Sequence, residues 1–345
     1  MTARRFIAHR GVHLGSTASG ENSLEAVELA RRAGFACIET DVRLSADGEF
    51  VVMHDETLDR TVTYTDGRKV DDVRVDSVPL PRLRSDYLLK ARDPENRTRI
   101  PTLEEYLQAC VAAGLVPFIE FKLDDQPAET YLQLLAIADR VVGRGDYVMT
   151  SNGSANRAIR ALGIHDVPMM DILYQAPSFA DVVALGDVTV AISATRYERA
   201  EHRAWVEQAW LSGLETELHA DDVEAFAIAT EHRVDLISTD VLAPDLHPAA
   251  RILLSAELGD DALPGDDARL AVRTPGHLAF GGMFLEFELT GSCDVQLGPQ
   301  RFTRASEEPR IVRHQVMVFD APARFSFHSD AGSRIRALRL TVAAY

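Results

Sequence analysis

Between residues 4 and 256, short apolar runs alternate with stretches of helical period, and this alternation limits what the chain can fold into. The runs fall at 6–9, 36–42, 117–122, 147–150, 167–173, 188–194, 213–218 and 235–239. Short apolar runs separated by helix-period segments are the pattern of repeated strand–helix units and a parallel sheet. Eight units over about 250 residues is the content of a (β/α)8 TIM barrel. A doubly wound open sheet is the rival, but no glycine-rich phosphate fingerprint follows the first run.

The intervening segments carry helix punctuation. Asn22-Ser-Leu-Glu25 and Thr102-Leu-Glu-Glu105 both read as capping boxes, and Gly34 and Gly114 sit where a helix would end in a left-handed residue. Leu24, Val27 and Ala30 form one apolar stripe, as do Leu103, Tyr106, Leu107 and Cys110. Asp221 opens another helix, with Val223, Phe226 and Ala227 as its buried side.

The texture changes at the acidic, Pro- and Gly-containing stretch 259–267, which reads as a linker. Beyond it, runs at 270–274, 284–290, 294–297, 311–319, 324–328 and 335–343 alternate apolar and polar residues between Gly, Pro, Ser and Asp. The expected organisation is an α/β barrel domain over 1–258, the linker 259–267, and a small all-β sandwich over 268–345.

Charge narrows the range of partners. The net charge is -17, and residues 268–345 hold ten Arg against seven Asp or Glu, so the first 267 residues carry -20. So acidic a body argues against nucleic acid or an anionic membrane as the main partner. An anionic substrate would need a locally positive site, which a bound cation can supply. The three cysteines have neither disulfide nor metal-ligand spacing and are expected to be small core residues. No 18-residue apolar run and no apolar leader occur, so no integral membrane segment and a cytoplasmic location are expected.

Residues 36–55 concentrate the chemistry. Glu39 and Asp41 stand two apart in an otherwise apolar run, so both carboxylates share one face of a strand. Like charges buried together require a cation or basic partners, and from spacing alone a metal site and a salt-bridge cluster with Arg10, Arg43 and Lys122 both remain open. His54 closes a second apolar run after the turn Asp47-Gly48. His9-Arg10-Gly11 ends the first run, and in a barrel the C-terminal ends of strands face the site. Glu120 and Lys122 repeat the two-residue spacing with Phe118. Only three Lys stand against 33 Arg, so a Lys at a strand end points to a need for a compact ammonium. The other histidines, His219 and His314 among them, are expected at the surface or in packing.

These residues carry a resemblance. H-R-G at 9–11, E-N at 21–22, I-E-T-D-V at 38–42, D-G-E-F-V-V-M-H-D at 47–55, T-L-D-R-T at 57–61, I-P-T-L-E-E at 100–105 and I-E-F-K at 119–122 resemble the glycerophosphodiester phosphodiesterase family in order and spacing. The resemblance implies a barrel enzyme in which Glu39, Asp41 and Glu120 bind one divalent cation, Mg²⁺ or Ca²⁺. It implies His9 and His54 as the acid/base pair, and Arg10 and Lys122 as ligands of the phosphate oxygens. All-oxygen ligands suit such hard ions.

The implied reaction is hydrolysis of a glycerol- or sugar-containing phosphodiester, a small molecule, by way of a cyclic phosphate. The alternatives are a phospholipase-D-like enzyme that stops at the cyclic phosphate, and a non-catalytic receptor for a phosphate ligand. For the C-terminal β domain the expectations are carbohydrate binding or a subunit contact, the latter giving a homo-oligomer. Three stretches depart from the family: the seventh strand commonly carries Trp-Thr-Val-Asn, whereas here it reads Glu215-Thr-Glu-Leu-His-Ala220; the first loop, 12–21, is long and polar; and the fourth run ends Thr150-Ser151-Asn152, with Asn where an aromatic is common.

Overall fold

A computed structural model of the chain describes residues 5–16, 18–151, 154–172, 178–186, 188–193, 200–232, 234–248, 250–258, 269–273, 278–330 and 332–345. The strands in the first part are β1 (Arg5–Ala8), β2 (Cys37–Leu44), β3 (Phe50–Val52), β4 (Val62–Tyr64), β5 (Tyr87–Leu89), β6 (Val116–Phe121), β7 (Val148–Ser151), β8 (Met169–Ile172), β9 (Val188–Ser193), β10 (Thr216–His219) and β11 (Leu236–Thr239). Eight of them pair in parallel in the order β1, β11, β10, β9, β8, β7, β6, β2, and β1 pairs again with β2. The sheet is thereby closed into a (β/α)8 barrel, and each of the eight apolar runs contributes one strand.

Local chemistry starts and stops the helices. Thr102 and Glu105 form a reciprocal capping box ahead of the helix Leu103–Ala113, and Gly114 ends it at φ 70°. The helix Leu24–Ala33 ends likewise at Gly34, but Ser23 caps its start, accepting from the amide of Ala26. The box expected at Asn22 does not form. Both residues can cap, and Asn22 is instead held left-handed, at φ 59°, by contacts with β2 described below.

Inside the barrel the period of two sorts residues by height. Ile7, Cys37, Phe118, Met170, Ala191 and Leu236 form an apolar interior cluster. One step further along their strands stand His9, Glu39, Glu120, Ile172 and Ser238, all lining a cavity. Between β3 and β6 the chain makes a side lobe in which β4 and β5 pair antiparallel, over a core that includes Leu58, Leu83 and Ile100.

The C-terminal part is all-β, with β12 (Arg251–Leu258), β13 (Arg269–Arg273), β14 (Leu278–Leu297), β15 (Gln300–Ala321), β16 (Arg324–Ser329) and β17 (Arg334–Ala344). Hydrogen bonding runs through one antiparallel sheet, ordered β12, β17, β14, β16, β13, with β15 along the other edge of β14. The runs at 284–290 and 294–297 are one strand, because Gly291, at φ 98°, makes a bulge and not a turn. On either side of that bulge β14 pairs first with β17 and then with β16, and Phe287 meets Phe327 edge-on at 5.7 Å.

Contacts divide the chain into two compact units, one of Met1–Ala220 and Arg233–Asp240, the other of Asp221–His232 and Val241–Tyr345. Residues 251–258, on the barrel side of the expected boundary, form β12 and pair with β17. The linker expected over 259–267 lies outside the described residues. All three cysteines are buried and free, and among the described residues no helix is long and apolar enough to cross a membrane.

Candidate active site

The strand ends at the top of the barrel surround a cavity of about 300 Å³ lined by His9, Arg10, Glu39, His54, Glu120 and Lys122, with Thr150, Ile172, Glu217, His219 and Ser238 on the wall and Ile7, Met170 and Ala191 below. Six of the seven residues singled out from the sequence line it, and the seventh, Asp41, is fully buried against Arg10 and Lys122.

Burial on β2 and β6 sets the electrostatics. Glu39, Asp41 and Glu120 are 5, 0 and 7 % exposed, and their ligand atoms lie within 4.8 Å of one another. Burial, then the charges of Asp41 and Glu120, push the Glu39 carboxyl well above its usual range. Burial also opposes charge on Asp41, but Lys122, Arg10 and His54 outweigh it and hold that carboxyl low. Lys122 reaches Glu120 at 2.7 Å and Asp41 at 3.1 Å, so its ammonium is held charged despite burial. Glu39 Oε1 is buried with no hydrogen-bond partner. An all-oxygen group of three carboxylates, too close to be ionised together without a counter-charge, fits a hard divalent cation.

The backbone is bent to serve this group. Arg10 is left-handed at φ 55°, which aims its amide at Glu39 Oε2 (3.0 Å) while its side-chain Nε lies 3.3 Å from Asp41. Asn22 donates to Asp41 at 2.9 Å and accepts from Thr40, and its amide bonds to the Arg10 carbonyl. Two non-glycine residues in this conformation cost of order 1–3 kcal/mol each. Gly11 must be glycine, since a Cβ there would lie 2.6 Å from that of Ala26.

Each histidine is oriented through Nδ1. His9 contacts Asp240 at 2.8 Å, and His54 contacts Asp55 at 2.6 Å. Both carboxyls lie below the usual range, so each accepts the imidazole N–H and leaves Nε2 as the working nitrogen. His9 Nε2 lies 3.9 Å from Glu39. Burial lowers the pKa of both imidazoles, more than the acidic neighbours raise it.

The sequence did not single out Asp240, Asp55, Glu21 or Arg60 as individual site residues. Arg60 grips Asp55 and Glu21, and Glu21 in turn lies 3.4 Å from Arg10. Arg10 and His54 are thus tied together from behind. The motifs at 21–22, 47–55 and 57–61 contain Glu21, Asp55 and Arg60 but gave none of them a role.

His219, expected at the surface or in packing, lines the cavity with its ring 4.8 Å from that of His9. Its Nδ1 lies 3.0 Å from Ser238 Oγ, and Ser238 donates through both hydroxyl and amide to the fully buried Glu217. Two-residue spacing puts Glu217 and His219 on the inner face of β10.

Residues 9–163 match the model of the glycerophosphoryl diester phosphodiesterase family. Glycerophosphodiester phosphodiesterase 1 of Rattus norvegicus is 36% identical over 117 residues, 34% of this chain and 33% of that protein. The chain therefore spans about a third of that curated relative's length. A glycerophosphodiester phosphodiesterase structure from Agrobacterium tumefaciens is similar at 25% identity and TM-score 0.55, over 69% of this chain and 96% of that one. An Oleispira antarctica phosphodiesterase, solved with its product sn-glycerol-3-phosphate, shares the fold at 22% identity and TM-score 0.55, over 70% of this chain and 94% of that one. Residues 9–163 are thus similar to the glycerophosphoryl diester phosphodiesterase family, and the barrel shares its fold with these solved structures.

Proposed function

We propose that the chain hydrolyses a glycerophosphodiester, yielding a glycerol-phosphate monoester and an alcohol, with His9 and His54 as the acid/base pair. The observation that carries this reading is one cavity lined by both imidazoles, the Arg10 and Lys122 cations and two carboxylates of the buried trio. Matches to proteins named for this activity support it.

Glu39, Asp41 and Glu120 would hold one divalent cation, Mg²⁺ or Ca²⁺. When bound, it would stabilise charge developing on the phosphoryl oxygens. Lys122 and Arg10 sit beside the same carboxylates and would hold the non-bridging oxygens, fixing phosphorus between the imidazoles. One imidazole accepts the proton of the attacking hydroxyl through Nε2, and the other gives a proton to the departing alcohol. Asp240 and Asp55 keep the Nδ1–H of both rings in place, so that Nε2 is bare on the ring acting as base and carries the proton of an imidazolium on the ring acting as acid. A substrate hydroxyl as nucleophile would give a cyclic phosphate that water then opens.

Chelation with EDTA followed by Mg²⁺ or Ca²⁺ is the test. Activity is expected to vanish and return; activity indifferent to chelator would remove the metal from the mechanism. Phosphorus NMR of the product separates complete hydrolysis from an enzyme that stops at the cyclic phosphate.

A further inference from the structure

Beside the carboxylate trio the barrel gathers a second set of donor atoms, of different chemistry. One ring nitrogen of His9, one of His219 and a carboxylate oxygen of Asp240 all lie within 4.8 Å of one another. Strand pairing brings them together: β1 pairs with β11, which leads into Asp240, and β11 pairs with β10, whose His219 ring stands edge-on to that of His9. A third imidazole faces the same carboxylate. His13 Nδ1 lies 3.1 Å from the Gly11 carbonyl, which can only accept, so the neutral ring carries its proton there and its lone pair on Nε2. That Nε2 is 4.0 Å from Asp240 Oδ1. The site is open to a solvated ion, since the His9, His13 and Asp240 side chains are 22, 13 and 22 % exposed. A tetrahedral ion with ligands at about 2 Å spaces its donor atoms about 3.3 Å apart, so shifts on the order of 1 Å close this set around it. No vacant atom is needed. The ion takes the place of hydrogen bonds already made, as between His9 Nδ1 and Asp240 at 2.8 Å.

We propose that His9, His13, His219 and Asp240 form a second metal site, selective for a borderline transition ion such as Zn²⁺, and that filling it stops the reaction proposed above. Three imidazoles and one carboxylate favour such an ion over Mg²⁺ or Ca²⁺, which suit the all-oxygen trio. His13 lies in the first loop and His219 on β10, two stretches where the chain departs from its family, so neither belongs to the motifs that carry the resemblance. The site stands on its own geometry; only the stop rests on the phosphodiesterase reading. An ion at His9 Nδ1 moves the ring proton to Nε2, which can then no longer accept one, nor give one up as an imidazolium does. An ion at Nε2 occupies the working nitrogen outright.

The test titrates Zn²⁺ into the full chain in saturating Mg²⁺, followed by calorimetry. One equivalent is expected to bind with micromolar or tighter affinity. His13→Gln and His219→Gln are each expected to weaken it by about tenfold or more, at least what loss of an outer partner costs. Glu120→Gln, which strikes the carboxylate trio, is expected to leave it unchanged. Co²⁺ in place of Zn²⁺ is expected to show the strong visible absorption of a four-coordinate site. No Zn²⁺ binding by the unaltered chain, binding that survives both His substitutions, or binding lost in Glu120→Gln overturns the site. In a steady-state assay the bound equivalent is expected to abolish hydrolysis, and hydrolysis that continues with Zn²⁺ bound overturns the stop. Zn²⁺ binding as expected to a chain that hydrolyses no glycerophosphodiester in Mg²⁺ alone overturns the phosphodiesterase reading, and the stop with it, and leaves the site standing.

Discussion

On the β1–β6 side of the barrel mouth, buried carboxylates stand beside cations: Lys122 lies 2.7 Å from Glu120 and 3.1 Å from Asp41, and Arg10 lies 3.3 Å from Asp41. On the β8–β11 side, Glu217 is held by the neutral donors of Ser238; on the outer face of β8, opposite the cavity-lining Met170 and Ile172, Asp171 has Arg157 at 3.7 Å. The first side is crowded with charge of both signs, as binding a phosphate on a cation demands. The second offers one hydrogen-bonding wall inside an otherwise apolar surface. One pocket thus joins a wall of opposed charges to a wall of neutral hydrogen bonds.

The comparison breaks most directly at the histidines. His9→Ala and His54→Ala are each expected to lower kcat/KM by about 10²–10⁴, the usual contribution of a positioned acid or base. Steady-state assays of both variants check this, and a loss of only a few-fold would move the chemistry to other groups.

Asp171, on the outer face of β8, offers the next largest effect. It is fully buried on β8, and burial raises its carboxyl from 3.8 to about 6. Between those values the folded chain keeps a proton that the unfolded chain has released. Stability is therefore lost as pH rises through this window, and the loss is complete above about 6. Asp171→Asn is expected to stabilise the barrel by about 1–3 kcal/mol at pH 7.5 and not at all at pH 4. Denaturant unfolding at the two pH values decides. An equal gain at both would mean that packing and not ionisation sets the cost.

The smallest effect sharpens the comparison. Arg60 is outside the cavity lining and holds Asp55 and Glu21 behind it. Arg60→Ala is expected to reduce activity about tenfold, as loss of an outer partner commonly does. Freed from Arg60, Asp55 would act more strongly on His54, so the limb of the pH–rate profile that belongs to His54 should move to higher pH. A tenfold loss with an unmoved profile would make Arg60 a matter of local folding only.

Most of the charged side was legible because its information is local. Glu39 and Asp41, like Glu120 and Lys122, are set by strand period, and period alone places them on the inner face. Ile237-Ser-Thr-Asp240 resembled the family's last strand, but the role of Asp240 was not legible, since its bond to His9 joins residues 231 positions apart. Asn22 misled because Asn and Ser are both good helix caps; its contacts with Thr40 and Asp41, not any propensity, decide that Ser23 caps. His219 read as a bland surface residue because a lone histidine carries no pattern, and its meaning depends on Ser238 standing opposite it on β11. In the C-terminal part the alternation revealed strands, but one glycine decided whether two runs were separate strands or one bulged strand.

The apolar cluster of Ile7, Cys37, Phe118, Met170, Ala191 and Leu236 also governs traffic. A barrel plugged by packed side chains has a single door. For the reaction proposed above, diester, water, alcohol and monoester would all use it, so each turnover would be a queue in which the alcohol clears the opening before water enters. Accumulated alcohol would then compete with both, and the plug that stabilises the barrel would also set the order in which the products depart.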